Sequence, residues 1–167
     1  MDTILYDDEE LLNPNSEQYF LFISGGDKYA FKASVVSEIL ENQSVTKVPK
    51  CITCVKGILN IRGNLVGVVD LLDRFDLDET QIKNRTSIVI IKLFQNEKEH
   101  TVGILIDEIF EVDGLDEDSL THPPSFGTKI DARFIQHMAR YGGEDIIVLD
   151  ENEVLNISEL SGEGYLK

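Results

Sequence analysis

Residues 55–71 read VKGILNIRGNLVGVVDL, and the fold class follows from how this stretch is parsed. Two short runs rich in Ile, Leu and Val, 57–61 and 65–70, flank Arg62-Gly63-Asn64. Runs this short do not sustain helices and a glycine turn joins them, so the stretch predicts two adjacent strands.

Working outward, the same grammar recurs. Residues 19–24 and 28–32 flank Gly25-Gly26-Asp27, a hairpin signal because glycine reaches positive φ without steric cost. Further strands are expected at 45–48, 87–94, 101–106, 109–112, 134–139 and 146–149. Helical signals are brief. One helix is expected from an N-cap at Ser34 to residue 40, with Val35, Val36, Ile39 and Leu40 on one face. A single turn at 71–75 and a short amphipathic helix at 154–160 complete the set. About ten short strands without long crossover helices predict an all-β protein built as a pair of small barrels. Residues 1–16 read as a flexible acidic leader. The polar stretch 76–84 reads as a linker between a first barrel at about 17–84 and a second at about 85–155, followed by a tail, 156–167, that holds the short helix. No close sequence repeat joins the halves.

The chain has 167 residues, 42% hydrophobic and 28% charged, with a formal net charge of −16. That composition buries a core. A body this negative is repelled by phosphate backbones and anionic lipid, which argues against a nucleic-acid partner. The purest apolar run, Ile88-Val89-Ile90-Ile91, ends at Lys92, far short of the roughly 18 residues of a membrane span. Residues 1–18 hold no Lys or Arg, unlike an export signal, and two cysteines frame no secreted scaffold, so a cytoplasmic setting is expected.

Catalytic and metal motifs are weak. Cys51-Ile52-Thr53-Cys54 has metal or redox spacing, but a structural zinc needs four ligands and His100, His122 and His137 are scattered in sequence. Asp76-Leu77-Asp78-Glu79 begins like a calcium loop, yet Gln81 and Ser87 stand where an EF-hand needs Gly and Glu. There is no GxSxG elbow, HExxH helix or P-loop. No cofactor, metal or catalytic residue is therefore expected. The most telling charge feature lies at 42–69, which contains no carboxylate but carries Lys47, Lys50, Lys56 and Arg62. Such a patch on a negative body would steer an acidic partner surface.

Within this patch, Val55-Lys56-Gly57-Ile58-Leu59-Asn60-Ile61-Arg62-Gly63, followed by Val68-Val69-Asp70-Leu71, resembles the signature of the CheW family, the coupling adaptors of bacterial chemotaxis. Val102-Gly103-Ile104-Leu105-Ile106-Asp107-Glu108-Ile109-Phe110-Glu111-Val112 is similar to the family's second characteristic block, and the likeness runs from about Gln18 to Leu155. Gly67, where the family prefers proline, and His137, where it often has glycine, depart from the pattern.

The resemblance implies two five-stranded SH3-like or OB-like barrels packed around a shared core, with short helices. It implies an adaptor, not an enzyme. Its partners would be the cytoplasmic domain of a chemoreceptor and the regulatory domain of a chemotaxis histidine kinase, in rings that include further copies of the adaptor itself. It would be cytoplasmic, recruited to membrane-associated receptor arrays without inserting in the membrane. Carried over by motif position, Val36, Glu38, Ile39, Lys56, Gly57, Asn60 and Arg62 would form the receptor groove. Gly103, Ile109, Val112 and Phe126 would contact the kinase or ring. The residues alone leave a plainer reading open, with Val36, Ile39, Ile109 and Val112 as core and the two glycines serving backbone geometry. Two rival functions stand beside the adaptor: a CheV-type adaptor region lacking its receiver domain, and a small thiol- or metal-dependent enzyme using Cys51, Cys54 and a histidine.

Overall fold

Four two-residue turns set the frame. The computed structural model describes residues 17–41, 44–49 and 51–161, so the expected leader and the end of the expected tail lie outside the described residues. The strands are β1 (Gln18–Ser24), β2 (Asp27–Lys32), β3 (Val36–Glu41), β4 (Val55–Ile61), β5 (Asn64–Asp70), β6 (Ser87–Gln95), β7 (Lys98–Ile106), β8 (Glu108–Gly114), β9 (Ile135–Tyr141) and β10 (Glu144–Leu149). The hairpins β1–β2, β4–β5, β6–β7 and β9–β10 turn on Gly25-Gly26, Arg62-Gly63, Asn96-Glu97 and Gly142-Gly143. All eight residues have positive φ, the handedness that matches the twist of paired strands. Three of these turns contain the glycine that marks them in sequence; Asn96-Glu97 does not.

The strands form two five-stranded sheets, in the orders β8-β1-β2-β10-β9 and β3-β6-β7-β5-β4. Each sheet draws strands from both sides of residue 84, so the expected cut there separates no pair of barrels. β3 leaves the hairpin it follows to pair with β6, and β8 leaves β7 to pair with β1. Each sheet then rolls toward closure. Beyond β3, Thr46 exchanges backbone hydrogen bonds of 2.9 and 2.8 Å with Ile58 of the opposite edge strand β4. Beyond β8, Thr121 does the same with Met138 of β9, at 2.8 Å each.

Alternation along the strands divides the apolar side chains among three cores. Leu21, Ala30, Ile146 and Val148 pack on one face of the first sheet, and Val68, Ile88, Ile90 and Leu105 on one face of the second. Between the sheets lies the largest core, where Phe20, Phe22, Tyr29 and Phe31 meet Val89, Ile91, Ile104 and Ile106. The ring pairs Phe22–Phe31, Tyr29–Phe75 and Phe75–Phe134, at 5.6, 5.5 and 5.3 Å, extend this core to the ends of both sheets. Full burial of each such ring is worth about 2–3 kcal/mol.

Three local expectations are corrected. Residues 33–40 form a 3-10 turn (Ala33–Val35) followed by β3, not a helix. The β-branched Val36 and Ile39 pair across to β6, which overrides a spacing that also fits a helix face. The strand expected at 45–48 reduces to the bridge at Thr46. The helix expected at 154–160 is two separate turns, α2 (Glu151–Val154) and α3 (Ile157–Leu160). The expected turn at 71–75 is α1 (Leu71–Arg74), capped by Asp70.

The halves repeat in structure where they do not in sequence. Each runs hairpin, exchanged strand, bridging segment, hairpin and capped turn, with Asp70 and Asp150 in equivalent caps. Asp70 N–H donates to Cys54 O and Asp150 N–H to Phe134 O, both at 2.8 Å. The stretch 76–84 is no free linker either. Thr80 donates from its amide and hydroxyl to the buried Asp70 carboxylate at 2.8 and 2.6 Å.

Gly57 shows what closure demands. Its φ is +152°, and a Cβ there would stand 2.1 Å from the Thr46 carbonyl oxygen. Gly67, in the adjacent strand, has nothing within 4 Å of such an atom. Gly57→Ala should therefore lower unfolding free energy by about 2–3 kcal/mol, whereas Gly67→Ala should change it by less than about 0.5 kcal/mol. Urea denaturation of both variants checks this.

Candidate docking surfaces

The second sheet carries the first candidate surface. The β4–β5 turn holds Arg62 at φ 49°, and Asn60 Oδ1 fixes the turn by accepting from Gly63 N–H at 2.9 Å. This aims the Arg62 guanidinium across the closed edge at Glu38 on β3. The two form a fork: Nη2 pairs with Oε2, and Nη1 lies 3.4 Å from Oε1. The Glu38 hydrogen bond raises the Arg62 pKa further above its ordinary value. The pair rims a groove of about 520 Å³ that also includes Ser37, Leu65, Lys92 and His100.

The seven residues assigned to this groove by motif do not act alike. Glu38 and Arg62 meet at its rim, and Ile39 is partly exposed beside Glu38 on β3. Val36 packs against the shared core. Gly57 is buried at the closing bridge and Asn60 caps the turn. Lys56 points to the loop after β5, where Asp73 and Glu79 take its ammonium at 2.9 and 3.1 Å. Burial alone would lower the Lys56 pKa, but hydrogen bonds to those carboxylates outweigh it and raise it. Two of the four cations of 42–69, Lys56 and Arg62, are thus paired with carboxylates in space, while Lys50 lies outside the described residues. The carboxylate-free sequence meets Glu38, Asp73 and Glu79 from outside the segment. Leu65, highly exposed on the groove, is an apolar group that sequence reasoning missed, because its strand pattern does not reveal which face lacks a cover.

The first sheet carries the second. On edge strand β8, Ile109 turns in to the shared core while Val112 is 52% exposed. Phe110 sits at the irregularity where β8 slips against β1. Its ring is gripped by the Lys28 ammonium, 4.1 Å from the centroid, and by the edge of Tyr141 at 6.0 Å. The Tyr141 hydroxyl donates to Asp113 at 2.8 Å, which helps push its pKa up to about 12. Phe126, on the loop after Thr121, is 84% exposed. Gly103 is not part of this surface. It is buried in β7 of the other sheet, where a Cβ would stand 3.0 Å from Ile88 Cγ2, so it serves packing.

Residues 18–159 of this two-sheet body match the CheW-like domain family. The chain belongs to that family. It is 30% identical over 148 residues to the chemotaxis protein CheW of Treponema pallidum, the alignment covering 87% of each chain. It is 28% identical over 140 residues to CheW of Bacillus subtilis, covering 84% of this chain and 87% of that one. The crystal structure of the scaffolding protein TtCheW from Thermoanaerobacter tengcongensis superposes with a TM-score of 0.75 at 26% identity, covering 84% of this chain and 88% of that one.

This CheW-like domain also has a cleft of about 630 Å³ where α1 faces the 3-10 turn Ala132–Phe134. Cys51 and Cys54 line it. Burial pushes the Cys54 thiol up, away from the thiolate a nucleophile needs, and no histidine is among the lining residues. His100 instead accompanies the groove, and His122 and His137 face each other elsewhere. The geometry does not assemble the thiol–histidine pair of the enzyme reading. Among the described residues, no helix is long and apolar enough to cross a membrane.

The cleft wall is held by ion pairs. Arg74 donates to Val154 O, Glu153 O and the Glu159 carboxylate at 2.7, 3.0 and 2.7 Å, and Arg133 reaches Glu159 with two nitrogens at 2.8 Å. Both guanidiniums lie over the Phe134 ring. The Arg133 hydrogen bonds, then those of Arg74, bring Glu159 from 4.5 to about 2. A depressed carboxylate stabilises the fold above its free pKa and loses that contribution as pH falls toward 2. Its side chain is 40% exposed, so screening leaves on the order of 1 kcal/mol. The stability gap between wild type and Glu159→Gln should be widest above pH 5 and close between pH 4.5 and 2, as followed by denaturation across that range; a gap independent of pH would contradict this role.

Proposed function

We propose that this chain is a non-enzymatic coupling scaffold in a chemotaxis-type signalling assembly, joining the cytoplasmic tip of a chemoreceptor to the regulatory domain of a histidine kinase. The observation that carries it is the CheW-like match along residues 18–159. The named relatives are chemotaxis proteins and the matched crystal structure is called a scaffolding protein. Physical features support the division of labour. The receptor tip is a helical hairpin, and a helix docks by laying an apolar stripe in a groove with charges setting its register. Glu38 and Arg62 supply such charges, with Leu65 as the exposed apolar group on the groove. The kinase side uses Val112 and Phe126, exposed side chains of the kind that anchor interfaces. The setting is cytoplasmic, beneath membrane-associated arrays, and a net charge of −16 favours protein surfaces over nucleic acid.

The Arg62–Glu38 fork makes a sharp test possible. Arg62→Glu alone places two carboxylates together and should weaken binding of a receptor cytoplasmic fragment more than tenfold in calorimetry. The swap Glu38→Arg with Arg62→Glu restores an internal pair. If Arg62 also meets the receptor, the swap stays weak while its melting temperature matches wild type. Recovery of full affinity in the swap would reduce the pair to a brace between β3 and the turn. On the other surface, Phe126→Ala should leave stability unchanged and weaken the kinase regulatory domain alone; equal loss for both partners would contradict two separate faces.

A further inference from the structure

Three histidines scattered in sequence leave two set against each other by the fold. Thr121 and Met138 form the bridge that closes the first sheet. One residue along each antiparallel strand from that bridge stand His122 and His137, directly opposite, with ring centroids 6.4 Å apart and planes inclined at 43°. Cβ atoms of such cross-strand partners lie about 4.5–5.5 Å apart. Two imidazoles sharing one ion through metal–nitrogen bonds of about 2.1 Å bring their ring centres to roughly 5 Å, so modest side-chain rotation closes the site. The backbone is prepared for it. Pro123 confines His122 to extended conformations, and the bridge hydrogen bonds hold the register.

The two rings are also uncommitted. His100 Nε2 lies 3.1 Å from Gln95 O, whereas among the described residues neither His122 nor His137 has a hydrogen-bonding partner to give up. His122 is exposed and His137 half-buried, which leaves room for water at the remaining coordination positions. We propose that His122 and His137 together chelate a divalent transition-metal ion of the zinc, copper or nickel class across the closing bridge of the first sheet. Imidazole suits these ions, and a chain of net charge −16 concentrates cations around itself. The bound ion ties the segment leaving β8 to β9 and anchors the root of the loop that carries Phe126. This site lies apart from the Cys51–Cys54 cleft and does not depend on the coupling role.

The experiment is zinc chloride titration of the full chain after chelator treatment, read by calorimetry and by melting temperature. Wild type and the double variant Cys51→Ser with Cys54→Ser should each bind one equivalent and melt at a higher temperature with zinc. His122→Asn and His137→Asn should each weaken binding at least tenfold and lose the shift, and His100→Asn should behave as wild type. Imidazole nitrogen resonances of wild type provide a readout that needs no variant, with those of His122 and His137 moving together at one equivalent. Absence of saturable binding, or binding lost with the cysteines and kept in His122→Asn and His137→Asn, would overturn the site.

Discussion

Neither sheet can be completed by one half of the chain. β3 belongs by sequence to the first hairpin and by hydrogen bonding to β6, while β8 follows the third hairpin and pairs with β1. The shared core follows from that exchange. Phe20, Phe22 and Phe31 are covered by Val89, Ile91 and Ile104 of the other sheet, so closing either sheet presupposes the other. Pairings between strands distant in sequence carry a loop-closure cost, and the large apolar core between the sheets is what offsets it.

Each candidate surface includes residues of an exchanged strand. β3 brings Glu38 and Ile39 to the second sheet, and β8 brings Val112 to the first. The residues just inside them, Val36 and Ile109, both pack on the shared core. The two faces are therefore held at a fixed separation by close-packed side chains rather than by a linker. On the proposed coupling role, partners bound at each face would be kept in one relative geometry.

The fold class was legible in sequence because glycine turns and short β-branched runs are local signals. Gly25-Gly26 and Arg62-Gly63 mark their hairpins directly. Strand exchange was not legible, since nothing in residues 33–41 states that their partner begins at Ser87. The helix expected there failed for the same reason: Val35, Val36, Ile39 and Leu40 fit either period, and pairing with β6 decides. For the sites, motif position led to Glu38 and Arg62 but not to their pairing. It also grouped Gly57 and Gly103 with contact residues, although both are buried, Gly57 where a side chain would collide with the Thr46 carbonyl and Gly103 where one would press on Ile88. The pairing of Lys56 was not legible in the charge of 42–69 because neutralisation is a property of space, and Asp73 and Glu79 reach Lys56 from a later turn.

The central claim is that one rigid body holds two partners at once on separate faces. Sedimentation velocity of this chain mixed with a receptor cytoplasmic fragment and a kinase regulatory domain measures it directly. The account predicts a ternary species containing all three, with each partner's affinity unchanged by saturation with the other. Displacement of one partner by the other would place both on a single face and contradict it.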